Sequence, residues 1–413
     1  MFENTYNFVA LESKFMRLKK IGTILTLWLA IATTGFAQEA DSIPFNANPS
    51  NYLLLDKGLQ FRITAAINSM YDFDFAKAER DFGVIGYQYP DHPLPDFLMA
   101  LGYWWRIEVD VTNERYDKIF LRYLERATDK AQRMFDEDET NKEAAFFLAA
   151  GYGFQGRLYS ERRSWTKAAF AGRNALKYMD LSRGEAEFNP ELLLGDALFN
   201  YFSVWIPENY PLLRPVMALF PAGSKELGLT QLEEVASNAF YTRIEAMYFL
   251  FRLYASEEKR PYDALRISEY LHGQFPNNPY FHRSYARHLY TVGRWTESVS
   301  ESFQILERID AKQEGYESNS GRYAAFFIAQ YYDRVRDPKK AKEYYLKTIS
   351  YGEESESQES GYYLFSLVQL GKMETAAGNK KLAKEYFKKV KKYAKRKHPA
   401  HQEARDFIKK NKL

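Results

Sequence analysis

Apolar residues recur along most of this 413-residue chain at helical spacing, and no strand-like alternation of useful length interrupts them. Short joints containing proline break the helical runs. Two of these joints nearly coincide: "QYPDHP" from Gln88 and "QFPNNP" from Gln274. Proline halts the preceding helix, and Asp or Asn with a following proline opens the next, so each joint is expected to close one helix and start another. The segment 115–139, "RYDKIFLRYLERATDKAQRMFDEDE", reads as one long amphipathic helix with Ile119, Tyr123, Ala127 and Ala131 along its stripe. The pattern predicts an all-α fold.

Small and aromatic residues then repeat in phase. In "LFSLVQLGKMETAAGNKKLAKEYFKKV", Leu370 and Gly371 precede a turn at Gly378, followed by Ala383, Phe387 and Val390. One unit earlier stand Ile328, Ala329, Tyr332, Ala341 and Tyr345; before them come Tyr285, Ala286, Leu289, Gly293, Ser298 and Ile305, with Ser302 where an aromatic is expected. Ala264 and Pro276 mark another unit, and Ala66, Ala78, Phe82, Ile85 and Pro90 a first one. Small residues at facing positions let two antiparallel helices approach closely, while the aromatic fills the gap to the next hairpin. One hairpin cannot bury its own apolar faces, so such units must stack.

This order of residues resembles the tetratricopeptide repeat, a helix-turn-helix unit, and the resemblance implies an α-solenoid of antiparallel hairpins, a TPR-like superhelix. Longer, less regular units between residues 94 and 223 carry Gly102, Gly151 and Gly195 at the expected tight contacts. In this family the first helix of each hairpin lines an inner groove. Carried over, that implies a partner-binding groove of Tyr280, Arg283, Arg287 and Tyr290, then Tyr323, Phe326, Gln330 and Asp333, then Phe365, Val368, Lys372 and Thr375. Tyr and Arg supply flat contact area and donors, which suits binding hot spots.

The stretch 198–223, "LFNYFSVWIPENYPLLRPVMALFPAG", is apolar yet carries Pro207, Pro211, Pro215 and Pro221. Glu208, Arg214 and the prolines exclude a membrane span. It is expected to be a buried bridge between two helices; Trp205, Tyr210 and Phe220, if exposed together, would instead form a second binding surface. With its flanks, through Gly195, Phe199, Pro207, Phe220, Gly223, Gly228, Leu229 and Leu232, it resembles the eukaryotic tetratricopeptide family that includes the inclusion-body clearance proteins. That family is non-enzymatic.

Composition changes the picture in three places. With 17% aromatic residues, 32 of them Tyr, partly exposed aromatic faces are expected. The net charge of +3 conceals a basic end, since residues 380–413 hold 14 Lys and Arg against 3 Asp and Glu. Such an end is either a solvated helical terminus or a contact for an anionic surface; no nucleic acid is expected, because no binding module accompanies it. The complete lack of cysteine excludes disulfides, thiolate metal sites and cysteine catalysis.

Residues 16–37 have the parts of a secretory signal: Arg17, Lys19 and Lys20, an apolar run over 21–32, and Gly35-Phe36-Ala37. Cleavage is expected between Ala37 and Gln38, with translation starting at Met16 and the product exported to a periplasmic or outer-membrane-associated location. The organisation expected is 1–37 extension and signal, 38–58 polar lead, 59–235 longer hairpins with the proline-rich bridge, 236–398 regular repeats and 399–413 basic tail.

No motif carries chemistry. His282 and His288 lie six apart on one helix, too far round for a shared metal, and are expected to pack or face solvent. "GYGFQG" from Gly151 lacks the preceding strand of a dinucleotide site, and the pairs Glu257-Glu258 and Glu353-Glu354 sit in polar loops. Neither a catalytic residue, a metal nor a cofactor is expected. The expected function is a scaffold binding unidentified protein partners. The alternatives are an adaptor held to a membrane by the basic tail or an uncleaved N-terminus and, behind it, an enzyme with an unrecognised site.

Overall fold

The structure, a computed structural model, describes residues 52–182, 190–211, 214–218 and 220–413. The expected signal, its cut between Ala37 and Gln38 and the start at Met16 lie outside the described residues. Every regular element among them is helical. They fall into two compact units, an N-terminal one of residues 52–107 and 113–250 and a C-terminal one of 108–112 and 251–413.

In chain order the helices are α1 (Lys57–Tyr71), α2 (Phe75–Gln88), α3 (Leu94–Val109), α4 (Asp117–Glu137), α5 (Lys142–Glu161), α6 (Trp165–Ser182), α7 (Pro190–Asn209), α8 (Lys225–Asn238) and α9 (Arg243–Ser256). There follow α10 (Pro261–Gln274), α11 (Pro279–Val292), α12 (Trp295–Asp310), α13 (Ser318–Arg334), α14 (Pro338–Glu354), α15 (Gly361–Ala376), α16 (Lys380–Tyr393) and α17 (Pro399–Asn411). A single turn, Arg214–Met217, lies between α7 and α8. From α10 onward each helix packs on the next, and α11 reaches α13, α13 reaches α15 and α15 reaches α17. That neighbour pattern is an α-solenoid of helical hairpins.

The hairpin turns share one device. A residue in the left-handed region precedes the second helix at Phe73, Arg163, Lys259 and Arg336, and Gly293 and Gly378 hold the same place in two further hairpins. Only the two glycines were visible as turns in the sequence, because the others bear side chains and bear the strain of that conformation. The two look-alike joints also agree. Tyr89 and Phe275 leave their helices at φ −131° and −128° with ψ 62° and 68°. Asn278 then caps α11, its Oδ1 accepting from the N–H groups of Tyr280 and Phe281, whereas at the first joint His92 Nδ1 accepts from Leu94.

The repeat residues lie at the helix contacts: Ala78, Ala264, Ala286, Ala329, Ala341 and Ala383 are wholly buried, as is Phe387, while Pro90 and Pro276 are exposed at the joints. Ser302, standing where an aromatic was expected, is buried because its hydroxyl donates to the Ser298 carbonyl, and Ser298 donates to Ala286. Gly371 lies against Phe387, where a Cβ would meet the ring at 2.6 Å, and Gly151 lies closer still to Thr128. Gly102 and Gly195 have ordinary clearance, so these two are not tight contacts. The stripe of α4 is also turned from expectation. Phe120, Leu124, Ala127, Thr128, Ala131 and Phe135 are buried, whereas Ile119 and Tyr123 are half-buried, Tyr123 stacking on Tyr103 instead.

The 198–223 stretch departs from a simple bridge. Helix α7 continues through Pro207 to Asn209, because Pro207 sits in its last turn, where little ladder remains to break. Trp205 is buried and its ring meets Phe202 and Tyr210; Tyr210 and Phe220 are half-buried, so the three aromatics do not form one exposed patch. Gly228 lets α8 lie directly on α7, since a Cβ there would stand 2.8 Å from the Ala197 carbonyl and 2.7 Å from the Tyr201 nitrogen. The basic end comprises α16 and α17, and α17 packs on α15 and α16, with Ala400 and Ala404 buried. No helix among the described residues is long and apolar enough to cross a membrane.

Candidate binding face

The first helices of three successive hairpins in the C-terminal unit, α11, α13 and α15, stand side by side and carry the residues the repeat pattern assigns to a groove. The final residue of α3, Val109, belongs to this unit, and as a helix end its carbonyl has no partner further along its own helix. Arg283 on α11 supplies one: its guanidinium donates to the Val109 carbonyl at 2.6 Å, to Ser320 Oγ at 3.3 Å and, more distantly, to the Glu108 carbonyl at 3.4 Å. Asn319 Nδ2 donates to the same Val109 carbonyl at 3.1 Å. The ring of Tyr280 lies 4.9 Å and that of Tyr323 5.8 Å from the Arg283 guanidinium. This end of the face grips a stretch of main chain between two tyrosines.

Further along, the groups link from hairpin to hairpin. Gln330 Nε2 donates to Tyr345 Oη at 2.6 Å, and Tyr290 Oη approaches Gln330 Oε1 at 3.5 Å. Asp333 sits beside Tyr345; burial raises its carboxyl above the usual range, opposed by Lys372 and by the tyrosine's hydrogen bond. Lys372 on α15 pairs with Glu403 on α17 at 2.5 Å. Gln330, Lys372 and Arg287 are half-buried, as are Tyr280 and Tyr323.

Five predicted groove residues form wall instead of surface. Arg283 is buried; Tyr290 stacks on Phe327 at 4.7 Å; and Phe326 is 1% exposed, its ring 4.7 Å from that of Tyr362. Phe365 and Val368 are buried too. The reason is the stacking itself, since each of these positions faces the next hairpin, whose aromatics close over it. Sequence reasoning missed Asn319, which lies at the start of α13 outside the counted positions, and Tyr345, which was read only as a filler between hairpins.

A second cluster joins residues that looked unrelated. His272 on α10 and His282 on α11 are equidistant from Asn277 in the joint, so the hairpin lays them face to face, ring centroids 4.3 Å apart and 14° from parallel. Glu301 Oε2 on α12 lies 3.5 Å from His272 Nε2 and 3.0 Å from His282 Nε2. The other ring nitrogen of His282 bonds Tyr316 Oη at 2.9 Å. These three residues could hold a metal ion. Burial pushes His282 down to about 4, with Glu301 opposing; burial works to raise Glu301, but the hydrogen bonds from both imidazoles hold it at about 2. His288 takes no part: its Nδ1 meets Ser268 Oγ at 2.9 Å and its ring packs edge-on to Phe251. Looking for ligands within one helix found His288, whereas the mirror symmetry of the joint was the signal for His272.

No family model matches this chain, and no curated protein matches it. Among solved structures it is similar to IFIT1. A monomeric IFIT1 mutant with Gppp-AAAA aligns over 79% of both chains at 13% identity and a TM-score of 0.31. A second monomeric IFIT1 mutant with m7Gppp-AAAA aligns over 79% of both chains at 13% identity and a TM-score of 0.29. A likeness of this degree says nothing of what the present chain binds.

Proposed function

We propose that the protein is a non-catalytic interaction scaffold whose C-terminal unit binds an extended polypeptide segment along α11, α13 and α15. The observation that carries this reading is the grip on Val109. A face that holds one piece of main chain by a buried arginine, an asparagine and flanking tyrosines continues into Gln330, Asp333 and Lys372, whose polar groups are suited to the backbone and side chains of a second segment. The non-enzymatic character of the family that the proline-rich stretch resembles agrees with binding. So does the signal-like N-terminus with a partner outside the cytoplasm; mass spectrometry of the mature chain, ending the leader at Ala37, tests that part.

The binding claim is tested on an array of unstructured peptides with purified protein. The double variant Gln330→Ala with Lys372→Glu should lose binding at least about tenfold, which is the effect of removing about 1.4 kcal/mol of contact. Unchanged binding would remove the face from consideration. A second reading, docking of the terminal helices on an anionic surface, is favoured by the exposed lysines 380, 381, 384, 388, 391 and 392 of α16. Sedimentation with anionic vesicles that is abolished by salt would support it.

A further inference from the structure

We propose that His272, His282 and Glu301 form a binding site for a divalent transition-metal ion, Zn2+ by preference, that fastens α10, α11 and α12 together. Two imidazoles and one carboxylate are the borderline donor set that Zn2+ takes in tetrahedral sites with a fourth position left to water. The three side chains come from three consecutive helices, so an ion here closes the joint between one hairpin and the next.

The spacing suits the ion. Zn–N and Zn–O bonds of about 2.0–2.1 Å place tetrahedral ligand atoms ~3.3 Å from one another. The distances from Glu301 Oε2 to the two histidine nitrogens, 3.0 and 3.5 Å, bracket that value, and the ligand atoms of all three residues lie within 4.8 Å of one another. The remaining closure requires the two stacked rings to splay, which rotation about their Cβ–Cγ bonds provides. His272 stacks on His282 and on Tyr285 and leaves Nδ1 buried with no hydrogen-bond partner, so its rotation is opposed by ring packing but by no hydrogen bond at that nitrogen, while Nε2 is the atom turned to Glu301.

The surroundings are those of a metal-ligating histidine. Tyr316 Oη holds the far nitrogen of His282 at 2.9 Å, the kind of outer contact that fixes ring orientation and tautomer. Arg308 Nη1 donates to the Tyr316 hydroxyl at 3.2 Å as well as to the Pro276 carbonyl at 2.8 Å and to Asn277 Oδ1. It thus reaches His282 through the Tyr316 hydroxyl at Nδ1, whereas Glu301 meets the ring at Nε2. His272 and Glu301 keep side-chain exposures of 15% and 18%, which leaves a route for the ion and a place for a water ligand.

The experiment uses the full chain after chelator treatment, titrated with ZnCl2 by calorimetry and followed by thermal unfolding. One equivalent should bind, and at a hundredfold excess over Kd the melting temperature should rise by roughly 5 °C. Co2+ in place of Zn2+ should give the intense visible absorption of a tetrahedral site. His272→Ala and Glu301→Gln should abolish both effects, and Tyr316→Phe should weaken binding about 10- to 100-fold while leaving the stoichiometry at one. Tyr316→Phe and the Co2+ spectrum keep the test decisive if the other variants fold poorly. No heat and no thermal shift with the unaltered protein would overturn the site, as would binding that survives in His272→Ala and Glu301→Gln.

Discussion

In the N-terminal unit, helix ends separated widely in sequence converge on buried carboxylates, whereas in the C-terminal unit small residues, short polar side chains and ion pairs between helices close in sequence, such as Lys342 with the buried Glu374, join the stack. Glu191 accepts from the N–H groups of Phe240, Tyr241 and Thr242 and from the Thr242 hydroxyl, some 50 residues away, and so caps the start of α9. Glu143 accepts from Leu53 and Leu54 across 89 residues, and Glu245 accepts from Tyr71 Oη, at a separation of 174, and from Trp105 Nε1. Over 251–413 the corresponding work falls to buried alanines and to Ser268, Ser298 and Ser302. Regular spacing lets the local pattern specify each contact. Where the hairpins lengthen, register is secured by a few charged clamps, each of which leaves several buried donors unsatisfied if it is lost.

Acid is the strongest way to break this contrast, and it should act on the C-terminal unit. Burial, aided by Arg287, pushes His288 from its usual 6.5 down to about 3, and burial takes His398 to about 4. Above pH 6.5 the ring is neutral in both folded and unfolded chains. Below it, the unfolded chain binds protons that the folded one refuses, so stability falls by about 1.4 kcal/mol per pH unit for each histidine until its folded value is reached. Hydrogen exchange between about pH 7 and 4.5 should show amides of 251–413 losing roughly 5 kcal/mol of protection. Equal loss in both units would sink the contrast.

Next in size is Glu191→Ala, expected to cost about 3 kcal/mol because three backbone donors and a hydroxyl lose their acceptor. Urea unfolding with limited proteolysis should place that loss in the N-terminal unit. Smaller again is a paired glycine test. Gly228→Ala pushes a methyl into the backbone of α7 and should cost about 2 kcal/mol, whereas Gly371→Ala presses on the buried Phe387 side chain instead of backbone and, with helix propensity partly offsetting the clash, should cost about 1 kcal/mol. The smallest effect is a gain. Arg336→Gly relieves a left-handed residue at φ 63° and should stabilise by up to about 1 kcal/mol, measurable as a raised melting temperature, and Gly378→Arg should reverse it.

Much of the architecture was legible because it is local. Ala264, Ala286, Ala329, Ala341, Ala383 and Phe387 stand at repeat spacing, and their burial follows from stacking hairpins of that period. The candidate site was legible only in part. Counting along one helix finds Gln330 and Lys372, but Arg283, Tyr290 and Phe326 turned inward because the neighbouring hairpin supplies Ser320, Phe327 and Tyr362 against them, and a helix's own periodicity does not encode which neighbour covers it.

The sequence by itself determined that this chain is helical, where its two proline joints and two glycine turns lie and which small residues of the regular repeats are buried, since propensity, capping and a repeating apolar pattern act over a few residues. The tertiary structure alone decided that α4 rotates to bury Phe120 and Leu124, that α7 runs on through Pro207, that Glu191 caps a helix 50 residues away and that His272, His282 and Glu301 meet. Those outcomes depend on burial and hydrogen bonding between segments distant in the chain or folded back on one another, whose energies exist only after the hairpins have stacked.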